Sequence, residues 1–213
     1  AGVVIVPHAG YIYSGETALK TLKRVNIPDN VILMGPNHTG DGSPVAIFDR
    51  GSWETPIGEV SINREIAKEL MKSKQFISDT IAHFQEHSLE VVVPMLKYLN
   101  ENVQIVPITM MSQSKETLKK MGEALKKVID KFPNTLIVIS SDLNHFENSK
   151  ISEVKDKMAI NEILEINPEK LLSTVEDNDI SMCGVYPVSA ALYLSKLAGW
   201  EHAELIEYTH SGR

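Results

Sequence analysis

Four short apolar runs constrain this chain more than any other feature of its sequence. VVIV (Val3–Val6), VILM (Val31–Met34), VQIVPI (Val103–Ile108) and LIVI (Leu136–Ile139) are rich in β-branched residues and carry almost nothing polar. Runs of this kind suit strands buried on both faces, as in a parallel or mixed sheet covered by helices. Two weaker segments join them. Ala203–Tyr208 (AELIEY) alternates and reads as a strand near an edge, and Val45–Phe48 (VAIF) reads as a short edge strand.

Helical periodicity fills the intervals. The spacing predicts helices over Thr17–Val25, Ile62–Met71, Ser88–Leu99, Ser114–Ile129, Val154–Ile166, Glu169–Val175 and Val188–Leu197. In Ser114–Ile129, the residues Leu118, Met121, Leu125, Val128 and Ile129 form one stripe with lysines outside it. Pro94 requires the third of these helices to kink early or start late. Asn167 and Pro168 open the sixth as cap and first helical residue, and Gly199 stops the last. Strands alternating with helices predict an α/β fold: a single layered domain with a central parallel or mixed sheet flanked by helices. With 213 residues and no linker-like stretch, one domain spans 1–213.

Composition excludes several classes of function. The formal charge is −7, from 21 basic and 28 acidic residues, and the basic residues are not clustered, so nucleic acid is not expected as a partner. No apolar run approaches the ~18 residues needed to cross a bilayer, and no signal peptide is visible, so no membrane partner is expected. Cys183 is the one cysteine. It cannot form an intramolecular disulfide, which makes a cytoplasmic location the expectation.

The runs end in a shared way. VVIV leads to Pro7-His8, VILM to Gly35-Pro36-Asn37-His38, and LIVI to Ser140-Ser141-Asp142-Leu143-Asn144-His145. In an open α/β sheet, the loops leaving the carboxyl ends of parallel strands line one crevice, where ligands bind. Imidazoles delivered there from different strands can meet around one ion or one substrate. Asp142 lies three residues before His145, close enough to orient an imidazole. His87 precedes Ser88, a candidate helix cap, and can face the same crevice. Cys183 immediately precedes the last helix, where a thiolate is a plausible soft ligand or nucleophile. His83, His202 and His210 lack such a context and read as surface or structural residues. A phosphate-binding Gly-rich loop, GxGxxG, HExxH, CxxC and GxSxG are all absent.

Five blocks then carry a resemblance. PHAGYIYSG (Pro7–Gly15), GPNH (Gly35–His38), EHSLEVVVPML (Glu86–Leu96), SSDLNH (Ser140–His145) and MCG followed by YPV (Met182–Val188) resemble the Memo-like family, in order and over nearly the whole chain. That family is similar in fold to the catalytic B subunits of class III extradiol dioxygenases, which hold non-haem Fe(II) with two histidines and a carboxylate. The resemblance implies a domain over 1–213 lacking a short N-terminal and a C-terminal piece. It implies His8, His38 and Cys183 at the metal-ligand positions, His145 at the acid/base position with Asp142 beside it, and His87 lining the pocket. A cysteine in place of the carboxylate shifts preference toward softer or redox-active ions, so ring cleavage does not carry over. In microbes, related domains accompany radical-SAM and AMMECR1-like proteins, which implies a functional link to them.

The expected function is therefore a mononuclear metal site, Fe or alternatively Cu or Zn, in an oxidoreductase of unknown substrate. Two alternatives use the same residues. One is a non-catalytic signalling module that binds a peptide or anion in a Gly-rich pocket; the expected partner overall is an unidentified small molecule or peptide. The other is a zinc-dependent hydrolase with an open coordination position.

Overall fold

The computed structural model describes residues 2–145 and 147–210. Eight strands occur among them: β1 (Val3–Val6), β2 (Asn30–Pro36), β3 (Val45–Ile47), β4 (Ser52–Thr55), β5 (Gly58–Ser61), β6 (Ile77–Ser78), β7 (Gln104–Met110) and β8 (Thr135–Ser140). The α-helices are α1 (Glu16–Leu22), α2 (Arg64–Leu70), α3 (Val93–Leu99), α4 (Lys115–Lys131), α5 (Ser149–Leu164), α6 (Pro168–Asp177) and α7 (Val185–Leu197).

The sheet runs β1-β8-β2-β7-β3-β6. β1, β8, β2 and β7 are mutually parallel, and β3 pairs antiparallel to β7. The four apolar runs are these parallel strands. Side-chain alternation divides each between two cores. Ile32, Met34, Val106, Ile108, Ile137 and Ile139 face a layer built from α2, α4, α6 and α7. Val31, Leu33, Ile105, Leu136 and Val138 face α1 and α3. Both faces are covered, which is why the strands read as continuous apolar runs.

Helix starts follow their caps. Asn63, Ser114, Asn148 and Asn167 each accept a hydrogen bond from the backbone N–H three residues on, opening α2, α4, α5 and α6. Pro94 is accommodated by the late start, since α3 begins at Val93 and holds it in the first turn. Gly199 takes φ +68° after α7. Among the described residues, no helix is long and apolar enough to cross a membrane.

Two differences from the sequence reading stand out. The hairpin β4–β5 and the short β6 carry too few apolar residues to register as strands. Conversely, Ala203–Tyr208 is not a strand. It borders a cleft of about 1530 Å³ beside the outer edge of β1. Side chains hold it instead of a ladder: Tyr208 Oη donates to Asp156 at 2.6 Å and Lys20 Nζ donates to Glu207 at 3.0 Å. Alternation without an adjacent strand to supply N–H and C=O groups does not make a strand.

Candidate metal centre

β8 lies between β1 and β2, so the strands carrying His8 and His38 stand about 9.6 Å apart, two spacings of ~4.8 Å. Their loops close that distance over the end of β8, and the ring centroids of His8 and His38 are 5.3 Å apart. His87, from the loop before α3, completes the group at 5.7 Å from His8 and 5.0 Å from His38. Ligand-capable atoms of His8, His38 and His87 all lie within 4.8 Å of one another.

Each of the two strand-end imidazoles has one nitrogen committed. His8 is buried, and its Nδ1 lies 2.7 Å from Ser140 Oγ. The Ser140 hydroxyl donates to Ser88 O at 2.6 Å, so it accepts from His8 Nδ1–H. His38 Nδ1 donates to Glu86 Oε1 at 2.8 Å. In both rings Nε2 is therefore the nitrogen left to face a ligand.

Cys183 reaches the same place from the opposite core. It precedes α7, and Gly184 lets that helix start press against β8. A Cβ on Gly184 would stand 2.3 Å from Ser141 Cβ, and Gly184 N–H donates to Ser141 Oγ at 3.1 Å. Cys183 Sγ lies 3.4 Å from His8 Nε2 and accepts from Asp142 N–H at 3.2 Å. Burial raises the pKa of this thiol, but hydrogen bonds from His38 and His8 outweigh it and bring it down to about 6. His38 is raised to about 10 by its hydrogen bonds to Cys183 and Glu86.

The loop after β8 brings an imidazole and a carboxylate together. His145 Nδ1 faces Ser181 O at 2.9 Å, and its Nε2 faces Asp142 Oδ2 at 3.9 Å. The Asp142 carboxylate beside it raises His145 to about 9. Asp142 also accepts from His8 N–H at 2.9 Å, and its Oδ2 lies 3.8 Å from His8 Nε2. Burial raises the Asp142 carboxyl, but His145 and His8 together hold it below the usual carboxylate value.

All six residues singled out from the sequence thus sit at the carboxyl end of the sheet: His8, His38, His87, Asp142, His145 and Cys183. His83 stands apart as a core residue. Its Nε2 donates to Ala46 O at 3.1 Å, and burial lowers it to about 4. Sequence reasoning missed Glu86, which is 2% exposed and hydrogen-bonded to His38. Nothing local in the run Gln85-Glu86-His87-Ser88 marks that carboxylate out.

Comparison with known proteins agrees with this architecture. A family model described as Memo-like protein matches residues 1–213. A MEMO1 family protein of Sulfolobus acidocaldarius is 42% identical over 201 residues, covering 92% of this chain and 71% of the relative. One from Aquifex aeolicus is 39% identical over 210 residues, covering 98% and 78%. A crystal structure of an uncharacterized protein from Escherichia coli K12 shares the fold at a TM-score of 0.60 and 14% identity, over 90% of this chain and 86% of that one.

Proposed function

The chain belongs to the Memo-like family, and from that premise we propose that it holds one metal ion through His8, His38 and Cys183. The observation that carries this reading is the committed Nδ1 of both imidazoles, which leaves each Nε2 to the space that Cys183 Sγ also borders. Two imidazoles and a thiolate fit a soft or redox-active ion, and iron is the resident metal of this reading, with copper next. Such an ion would supply redox chemistry, consistent with the resemblance to extradiol dioxygenases. A lone thiolate ligand suits a reducing, cytoplasmic compartment.

The chain's own residues divide the remaining work. His145 carries its proton toward neutral pH because Asp142 stabilises the imidazolium, so it serves as the general acid. Asp142 holds both that ring and the His8 backbone, which couples the acid to the ligand loop. His87 is the most exposed imidazole of the group and lines the approach.

A second reading has its own observation. The ligand atoms of His8, His38 and His87, all within 4.8 Å of one another, would also suit a three-imidazole zinc site with an open position, as in zinc hydrolases. Metal analysis of untagged protein separates the two. On the first reading Cys183→Ser loses iron and copper while His87→Gln stays loaded. The reverse pattern moves zinc hydrolysis ahead, and turnover with catechols, peroxide and simple esters then follows the metal found.

A further inference from the structure

The loop before α3 carries a carboxylate that the ligand set above does not use. Burying an acid is costly unless its oxygens are satisfied, and Glu86, at 2% exposure, has both satisfied by the site. Oε2 accepts from the backbone N–H of His38. Oε1 accepts from His38 Nδ1 at 2.8 Å and from Ser88 N–H at 2.9 Å. The same Oε1 lies 3.8 Å from His87 Nδ1. The rings of His38 and His87 are stacked, 5.0 Å between centroids and 16° between planes.

We propose that Glu86 is a positioning residue that orients the stacked pair His38 and His87, holding a His38 proton on Nδ1 so that Nε2 is the nitrogen that yields its proton to the ion. Its consequence for metal affinity rests on the metal reading above, whereas its effect on the ring does not. The role requires an acid and not an amide. Glutamine has the same shape but one acceptor oxygen. With that oxygen toward the His38 ring, its NH2 group opposes the His38 backbone N–H. With the NH2 group toward the ring, His38 must present a bare Nδ1 and carry its proton on Nε2, where an ion would bind.

The test compares the full chain with Glu86→Gln in two measurements. Nitrogen-resolved NMR of metal-free protein follows the His38 Nδ1 proton, and Co²⁺ titration reads affinity. We expect a protected Nδ1 proton in the wild type, its loss in Glu86→Gln, and Co²⁺ binding weakened about 10–100-fold. A folded Glu86→Gln that keeps the Nδ1 proton, or that loses it with Co²⁺ affinity unchanged, overturns the proposal. A purely structural role would lower the unfolding temperature and leave both readouts in place, which also overturns it. If the wild type takes no Co²⁺ while the Nδ1 proton still depends on Glu86, the metal reading fails and the orienting role stands. Should Glu86→Gln not fold, Glu86→Asp is read in the same way. It keeps the charge but withdraws it by one methylene, so an Nδ1 proton and affinity equal to wild type would count against the proposal.

Discussion

At Cys183 a single sulfur faces the imidazoles of His8 and His38 and the backbone N–H of Asp142. Near neutral pH the metal-free pair is a thiolate beside a protonated His38, because Cys183 is lowered to about 6 and His38 raised to about 10. An ion entering there competes with the His38 proton. Calorimetry in buffers of different ionisation enthalpy should therefore detect about one proton released per ion near pH 7.5. His145 gives a second titration. Its pKa is raised from 6.5 to about 9, so the His145–Asp142 pair adds stability in full below about pH 6.5 and loses it as pH rises through about 9. An NMR titration of metal-free protein should place the His145 midpoint near 9 and lower it in Asp142→Asn; an unchanged midpoint in that variant would remove Asp142 as the cause. His8, His38 and His145 were legible in the sequence because each follows a strand-like run, and His87 because it precedes a candidate helix cap. Glu86 was not, since nothing local distinguishes one buried carboxylate among 28 acidic residues.

The elements that deliver these side chains are held by close packing, as where α4 meets α7. A Cβ on Gly122 of α4 would stand 2.6 Å from Tyr193 Cβ and 3.0 Å from Leu194 N of α7. Helix propensity favours alanine over glycine by about 1 kcal/mol, whereas overpacking costs about 1–3 kcal/mol. Here the contacts are a Cβ and a backbone nitrogen, which cannot swing aside, so packing should win. Gly122→Ala is expected to lower stability by up to about 2 kcal/mol in urea denaturation, and a more stable variant would show that α7 can shift. Leu125→Ala, which empties a fully buried position in the same layer, should cost about 2–5 kcal/mol. The stripe of α4 was readable because its apolar residues repeat at helical spacing over 17 residues. The hairpin β4–β5 was not, because four-residue strands with exposed polar positions lack a period to detect. Ala203–Tyr208 misled for the opposite reason: it alternates, but its backbone pairs with no strand among the described residues.

For the whole molecule, the parallel core of the sheet and the two layers on it follow from runs that bury both faces, and those were plain in the sequence. Strand order was not. That β8 separates β1 from β2 is a long-range pairing with no local sign, yet it determines the site, because Ser140 at the end of β8 is the hydrogen-bond partner of His8. One fold-level arrangement thus gathers loops from three parallel strands and the start of α7 into one pocket. The claim that this pocket is a metal centre with a thiolate ligand is tested most directly by diffraction from untagged, metal-loaded crystals at the absorption edge of the bound metal. The account predicts one anomalous peak bonded to His8 Nε2, His38 Nε2 and Cys183 Sγ, with His145 and Asp142 outside bonding distance. No peak in the pocket, or a peak bonded to His8, His38 and His87 without sulfur, would contradict it.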